Sequence, residues 1–151
     1  MKHQGATIAL AGLGGYGHVY LRGLLGSASP LPFEFIAGID PEPARCPQID
    51  EIRRRGISVY PSIEKFYSSG GKADLMVLCT PLHLHAEQTM LALENGSHVL
   101  CEKPLGGHPQ QVQQMIEARD GWSRTGRKLQ VAIGYQWSFS PAIAEDRKSV
   151  V

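Results

Sequence analysis

An apolar run that breaks off at a glycine leaves few folds open to a chain, and residues 8–17 read Ile-Ala-Leu-Ala-Gly-Leu-Gly-Gly-Tyr-Gly. Glycines recur as G-x-G-x-x-G at Gly12, Gly14 and Gly17, and a helix-like pattern follows at once. Strand, glycine turn and helix, in that order, form the unit that receives the pyrophosphate of a dinucleotide. Gly12 permits the tight turn. Gly14 lets backbone come close to the phosphates, and Gly17 lets the helix lie tightly on the strand. With Gly15 and Tyr16 completing the turn, the helix N-terminus offers unpaired N–H groups and the positive end of its dipole to an anion.

The surroundings support that reading over a ligand-free βα turn. Thr7 to Ala11 reads as a buried parallel strand. Gly17, Leu21, Leu24 and Leu25 fall on one helix face, and Gly26 suits the stop. A second strand, Phe33 to Ile39, ends in Asp40, which lies 40 − 17 = 23 residues beyond the last glycine. An acidic residue about 20 residues on is what binds the adenosine ribose. Arg53, Arg54 and Arg55 read as a solvated helix face, and Asp40 argues against a 2′-phosphate, so the expected cofactor is NAD. Arg45 keeps NADP open.

The remaining chain alternates strands with helices. Ile57 to Tyr60, Asp74 to Cys79, His98 to Cys101 and Lys128 to Gly134 read as strands. Helices are expected over Gln48 to Arg55, after Pro61-Ser62, along Ala86, Thr89, Met90 and Leu93, and along an inner stripe of Val112, Met115, Ile116 and Arg119. The fold class is therefore α/β: a Rossmann-type, doubly wound parallel sheet in three α/β/α layers. Ligands bind at the carboxyl ends of such strands, so the loop Thr80-Pro81-Leu82-His83-Leu84-His85 after the fourth strand should face the cofactor.

A length of 151 residues fits about one domain, and a net charge of +1 gives no support to a nucleic-acid partner. Cys46, Cys79 and Cys101 form no C-x-x-C pair and read as reduced thiols of a cytoplasmic protein. No apolar run approaches the ~20 residues that span a bilayer, so no membrane partner is expected.

The order of motifs carries a resemblance. G-x-G-x-x-G, Asp40, Thr80-Pro81-x-x-x-His85, His98-Val-Leu-Cys-Glu-Lys-Pro-Leu105, Gly134-Tyr135-Gln136 and Pro141 together closely resemble the nucleotide-binding half of the Gfo/Idh/MocA family, the glucose–fructose oxidoreductase and inositol 2-dehydrogenase group. The resemblance implies a dehydrogenase that uses NAD, or NADP, on a secondary alcohol of a sugar or polyol, and a homo-oligomer. It implies Lys103 as the catalytic candidate at the seam of cofactor and substrate. Glu102 would hold the riboside side, Thr80 and Pro81 would wall the dinucleotide, His85 would lie near it, and Gln136 would contact the carboxamide or line the substrate cleft. It also makes Lys103–Pro104 the candidate cis peptide. Leu82 stands where the family often has asparagine, which removes one polar contact.

The family's second, substrate-binding domain is expected to be absent. Residues 1–137 would form the dinucleotide domain, and 138–151 the start of a helix leading toward the missing part. Such a truncated oxidoreductase should turn over little, and apolar surface around Trp137 and Phe139 should favour self-association. A non-catalytic NAD-binding module and an S-adenosylmethionine-dependent methyltransferase are the competing readings. His83, His85, Cys79 and Cys101 fit no standard zinc spacing, so no metal is expected. No G-x-S-x-G elbow supports a hydrolase.

Overall fold

The computed structural model describes residues 5–26, 33–124, 126 and 128–135. Trp137, Phe139, Pro141 and the expected linker helix lie outside them. Six strands form one sheet: β1 (Ala6–Ala11), β2 (Phe33–Ile39), β3 (Ser58–Tyr60), β4 (Leu75–Leu78), β5 (His98–Cys101) and β6 (Val131–Ile133). Every pairing is parallel, and the order is β3-β2-β1-β4-β5-β6. Among the described residues five α-helices connect them: α1 (Gly17–Leu25), α2 (Ile49–Arg54), α3 (Ile63–Ser68), α4 (His85–Glu94) and α5 (Pro109–Arg124). The strand order is that of doubly wound dinucleotide folds, with its reversal between β1 and β4.

The sequence of β1 explains why both faces of the sheet are covered. Side chains alternate along a strand. Ile8 and Leu10 therefore enter one core with Leu21, Leu25, Ile49 and Ile52, from α1 and α2. Ala9 and Ala11 enter the other, with Ile63, Phe66, Ala92 and Leu93 from α3 and α4. A strand buried on both faces has no polar position left to alternate, which is why the buried part of β1, Ile8 to Ala11, reads as an unbroken apolar run.

Element bounds differ from the sequence expectation by up to a few residues, most at β6, which is confined to Val131–Ile133. The inner stripe of α5 also differs. Met115 is buried, but Ile116 is 37% exposed. Successive helical residues point about 100° apart, so with Met115 turned inward Ile116 falls on the rim. There it joins Leu105, Val131 and Ile133 around an open groove beside β6. In α4, Met90 is only half-buried, whereas Ala92 is fully enclosed. The arginine run is a solvated face, and each member pairs on its own helix: Arg53 with Asp50, Arg54 and Arg55 with Glu51.

At the end of the sheet opposite the glycine turn, Asp74 ties the start of β4 to β1. Its Oδ2 accepts from the Thr7 N–H at 2.8 Å and from the Thr7 hydroxyl at 2.7 Å. The backbone bond is the larger cause, and together they hold the carboxyl below its ordinary value of 3.8. A carboxylate favoured by the fold stabilises it above that ordinary value and ceases to do so as pH falls through the lowered one. Asp74→Asn should therefore flatten the loss of stability below pH ~4, read from urea unfolding across acid pH. An unchanged acid slope would rule out this clamp as a contributor.

Candidate functional site

The glycine turn is forced by close packing. Gly12 has φ +84°, and a Cβ there would stand 2.6 Å from the Cys79 carbonyl oxygen. Its N–H donates to the Ile39 carbonyl at 2.8 Å, and Cys79 N–H donates to the Ala11 carbonyl at 2.8 Å, so the ends of β1, β2 and β4 meet at this turn. A Cβ at Gly17 would lie 1.8 Å from the Gly12 carbonyl oxygen, so α1 can begin this close to β1 only with glycine there. A Cβ at Gly14 would meet no atom within 4 Å. The turn is thus tight underneath and open above. No side chain caps α1, whose N-cap residue is Tyr16. Such helix starts carry N–H groups that an anion can satisfy.

A cleft of about 610 Å³ opens over the turn. Gly12, Gly14, Gly15, Asp40, Thr80 and Pro81 all line it, brought together from the carboxyl ends of β1, β2 and β4. Asp40 serves the turn as well as the cleft. Its Oδ2 accepts from the Leu13 N–H at 2.9 Å, and its Oδ1 from the Glu42 N–H at 2.8 Å. An ionised carboxylate offers about four acceptor positions, so each oxygen keeps capacity for a hydroxyl donor. Arg45 also lines the cleft, where its Nε lies 2.8 Å from Glu42 Oε2. The cleft therefore presents three carboxylates, those of Asp40, Glu42 and Glu64, against the one guanidinium of Arg45, which is already paired. Vicinal ribose hydroxyls suit that balance better than a phosphate.

The other sequence candidates lie outside the lining of this cleft. Gly17 is buried beneath the turn. Tyr16 is 45% exposed, with its ring edge-on to Tyr20 at a centroid distance of 6.0 Å. His85, expected beside the cofactor, is 2% exposed. Its Nδ1 lies 2.8 Å from the Pro104 carbonyl and its Nε2 lies 2.8 Å from the Thr80 carbonyl. Glu102, expected on the riboside, turns inward and is 7% exposed. Its Oε1 accepts from the Tyr20 hydroxyl at 2.6 Å and its Oε2 from the Lys103 N–H at 3.2 Å. Lys103 is exposed, and the Lys103–Pro104 peptide is cis. Gln136 lies outside the described residues.

Burial, reinforced by Glu102, raises the Tyr20 phenol far above its ordinary range and keeps it a donor. Burial is also the leading cause that pushes the Cys79 and Cys101 thiols up to about 12, so both are neutral thiols packed behind the site. Sequence reasoning missed Gln88, whose Oε1 accepts from the Thr80 hydroxyl at 2.5 Å, and the start of α3 at Ser62, Ile63 and Glu64. Gln88 sits one turn into α4, and that position was the available signal. Nothing local marked Tyr20, which meets Glu102 across 82 positions of chain.

The model of the GFO_IDH_MocA oxidoreductase family, NAD-binding Rossmann fold, matches residues 6–132. The chain belongs to this family. It carries the NAD-binding Rossmann domain of the Gfo/Idh/MocA oxidoreductases, which displaces the methyltransferase reading. Among relatives, D-glucoside 3-dehydrogenase of Escherichia coli K12 is 38% identical over 66 residues, 44% of this chain and 17% of that protein. The scyllo-inositol 2-dehydrogenase (NAD(+)) of Bacillus subtilis 168 is 26% identical over 150 residues, 99% of this chain and 41% of its own length. The WlbA dehydrogenase of Chromobacterium violaceum, solved with NADH and UDP-GlcNAcA, superposes with a TM-score of 0.81 at 23% identity, covering 99% of this chain and 40% of that one. At that identity the likeness is one of fold. The chain thus spans well under half the length of these relatives. Among the described residues no helix is long and apolar enough to cross a membrane.

The two flanks of the turn give opposite expectations for this Gfo/Idh/MocA domain. Gly17→Ala drives a Cβ into the Gly12 carbonyl and should cost about 3 kcal/mol in urea unfolding. Gly14→Ala should leave the unfolding midpoint nearly unchanged and weaken NADH binding, read by fluorescence titration. The reverse pattern would mean that the open flank is not where the ligand lies.

Proposed function

We propose that this domain holds NAD with its diphosphate over Gly12, Gly14 and Gly15 and its adenosine ribose on Asp40. In this reading it serves as the cofactor half of an oxidoreductase acting on a secondary alcohol of a sugar or polyol. The observation that carries the reading is the convergence of an uncapped, open glycine turn and an acceptor-rich Asp40 in one cleft. Thr80 and Pro81 wall the cleft opposite the turn.

When bound, the nicotinamide supplies the hydride acceptor or donor. The chain's own residues bind and orient. Asp40 accepts from two ribose hydroxyls while bracing the Leu13 amide, and its charge with that of Glu42 disfavours a 2′-phosphate. Lys103, held with its ammonium in the open, donates to a substrate hydroxyl and lowers the cost of removing that hydroxyl's proton. The sugar and polyol class comes from the family and from relatives named as glucoside and inositol dehydrogenases. The 151-residue chain alone is proposed to turn over little, because hydride transfer needs a dry cleft with a placed base.

Titration of NADH and NADPH against wild type and Asp40→Ala tests the reading. Wild type should prefer NADH. Asp40→Ala should weaken NADH about tenfold, the scale of a hydrogen bond to a charged group, and narrow the preference for NADH over NADPH. An unchanged NADH affinity in a variant that still unfolds cooperatively would defeat the ribose assignment. Turnover by the purified chain with NAD and a polyol should be negligible, and rates on the order of 10 s⁻¹, ordinary for an enzyme, would refute the inactive-alone proposal.

A further inference from the structure

Lys103 carries its ammonium in the open, yet its backbone is held from both sides by buried polar side chains. On one side Glu102 Oε2 accepts the Lys103 N–H at 3.2 Å. The same carboxylate is fixed through Oε1 by the Tyr20 hydroxyl at 2.6 Å, and Tyr20 stands on α1, the helix of the glycine turn. Gly134 closes over it, since a Cβ there would stand 2.5 Å from Oε1. On the other side the Pro104 carbonyl meets His85 Nδ1 at 2.8 Å, and the opposite ring nitrogen reaches the Thr80 carbonyl at 2.8 Å. His85 begins α4, and Thr80 lines the cleft.

Two chains of contact therefore run to one lysine. The first leads from α1 through Tyr20 and Glu102 to the Lys103 amide. The second leads from the Thr80 wall through His85 to the Pro104 carbonyl. Buried side chains bonded at both ends are locked by their surroundings, and groups locked in this way hold a neighbouring exposed side chain to one geometry. We propose that His85 and Tyr20 are positioning residues that set Lys103 against the nicotinamide end of the cofactor, with neither touching the cofactor itself. The inference rests on the dinucleotide reading above and adds which buried residues govern its far end.

The test compares NADH with ADP-ribose, which has the diphosphate and adenosine ribose but no nicotinamide. Glutamine at position 85 places an amide nitrogen near the site of Nε2, keeping the Thr80 bond and losing that to Pro104. Asparagine places one near Nδ1 and does the reverse. Tyr20→Phe removes the hydroxyl on Glu102 and keeps the ring packed, so the first chain of contact can be tested even if position 85 tolerates no change. We expect His85→Gln and Tyr20→Phe each to raise the NADH Kd about tenfold, the effect of leaving a buried acceptor unmatched, and His85→Asn to raise it less. The ADP-ribose Kd should move less than about twofold in all three. In a Lys103→Ala chain, His85→Gln and Tyr20→Phe should add no further loss, because residues acting through a shared partner are not additive.

Equal losses for NADH and ADP-ribose, or losses that add to that of Lys103→Ala, would overturn the positioning role and leave the cofactor reading intact. A wild-type chain that binds neither ligand would overturn the cofactor reading itself.

Discussion

The contact on which the site depends is backbone against backbone. Gly17 and the carbonyl of Gly12 leave no room for a single carbon between them. That closeness brings the start of α1 to the carboxyl end of β1, where β1 and β4 part and the connections leave to opposite faces of the sheet. The helix N-terminus is consequently aimed into the crevice. Asp40 reinforces the arrangement from the neighbouring strand by taking the Leu13 amide, so one carboxylate shapes the loop and faces the cleft. Binding chemistry and fold share the same few atoms here, and a change to the turn cannot affect one alone.

From the wall of the cleft inward runs a layer of polar groups in which His85 and Glu102 are buried and Tyr20 and Thr80 half-buried. Tyr20, Glu102, His85 and Thr80 reach across from α1, the end of β5, α4 and the end of β4. Burying polar groups is costly unless each finds a partner, and here each does. Cys79 and Cys101 pack beside them as neutral thiols and add no charge of their own.

Much of this was legible in the sequence because it is local or periodic. The strand, the three glycines and the helix face occupy one short stretch, and Asp40 follows at the spacing that one strand and one helix dictate. The parallel sheet could be inferred because strands buried on both faces lose their polar alternation. Contacts between distant segments were not legible. Glu102 follows a strand end and His85 begins the helix after one, both near where ligands bind, and nothing nearby revealed that Tyr20, Pro104 and Thr80 would turn them inward. Ile116 read as core because its spacing fits the stripe. With Met115 turned inward, Ile116 falls on the rim of the groove beside β6 and stays exposed there.

The position of β1 in the middle of the sheet also orders events during synthesis. Its first neighbour, β2, is complete once residue 39 has left the ribosome, but its second, β4, begins only at residue 75. During that interval a growing chain shows one bare edge of this strand, the kind of surface that seeks another strand to pair with. The same arrival of β4 supplies Cys79 and Thr80, against which Gly12 is packed. A nascent chain of this kind therefore covers its most vulnerable edge and acquires its cradle for phosphate in one step.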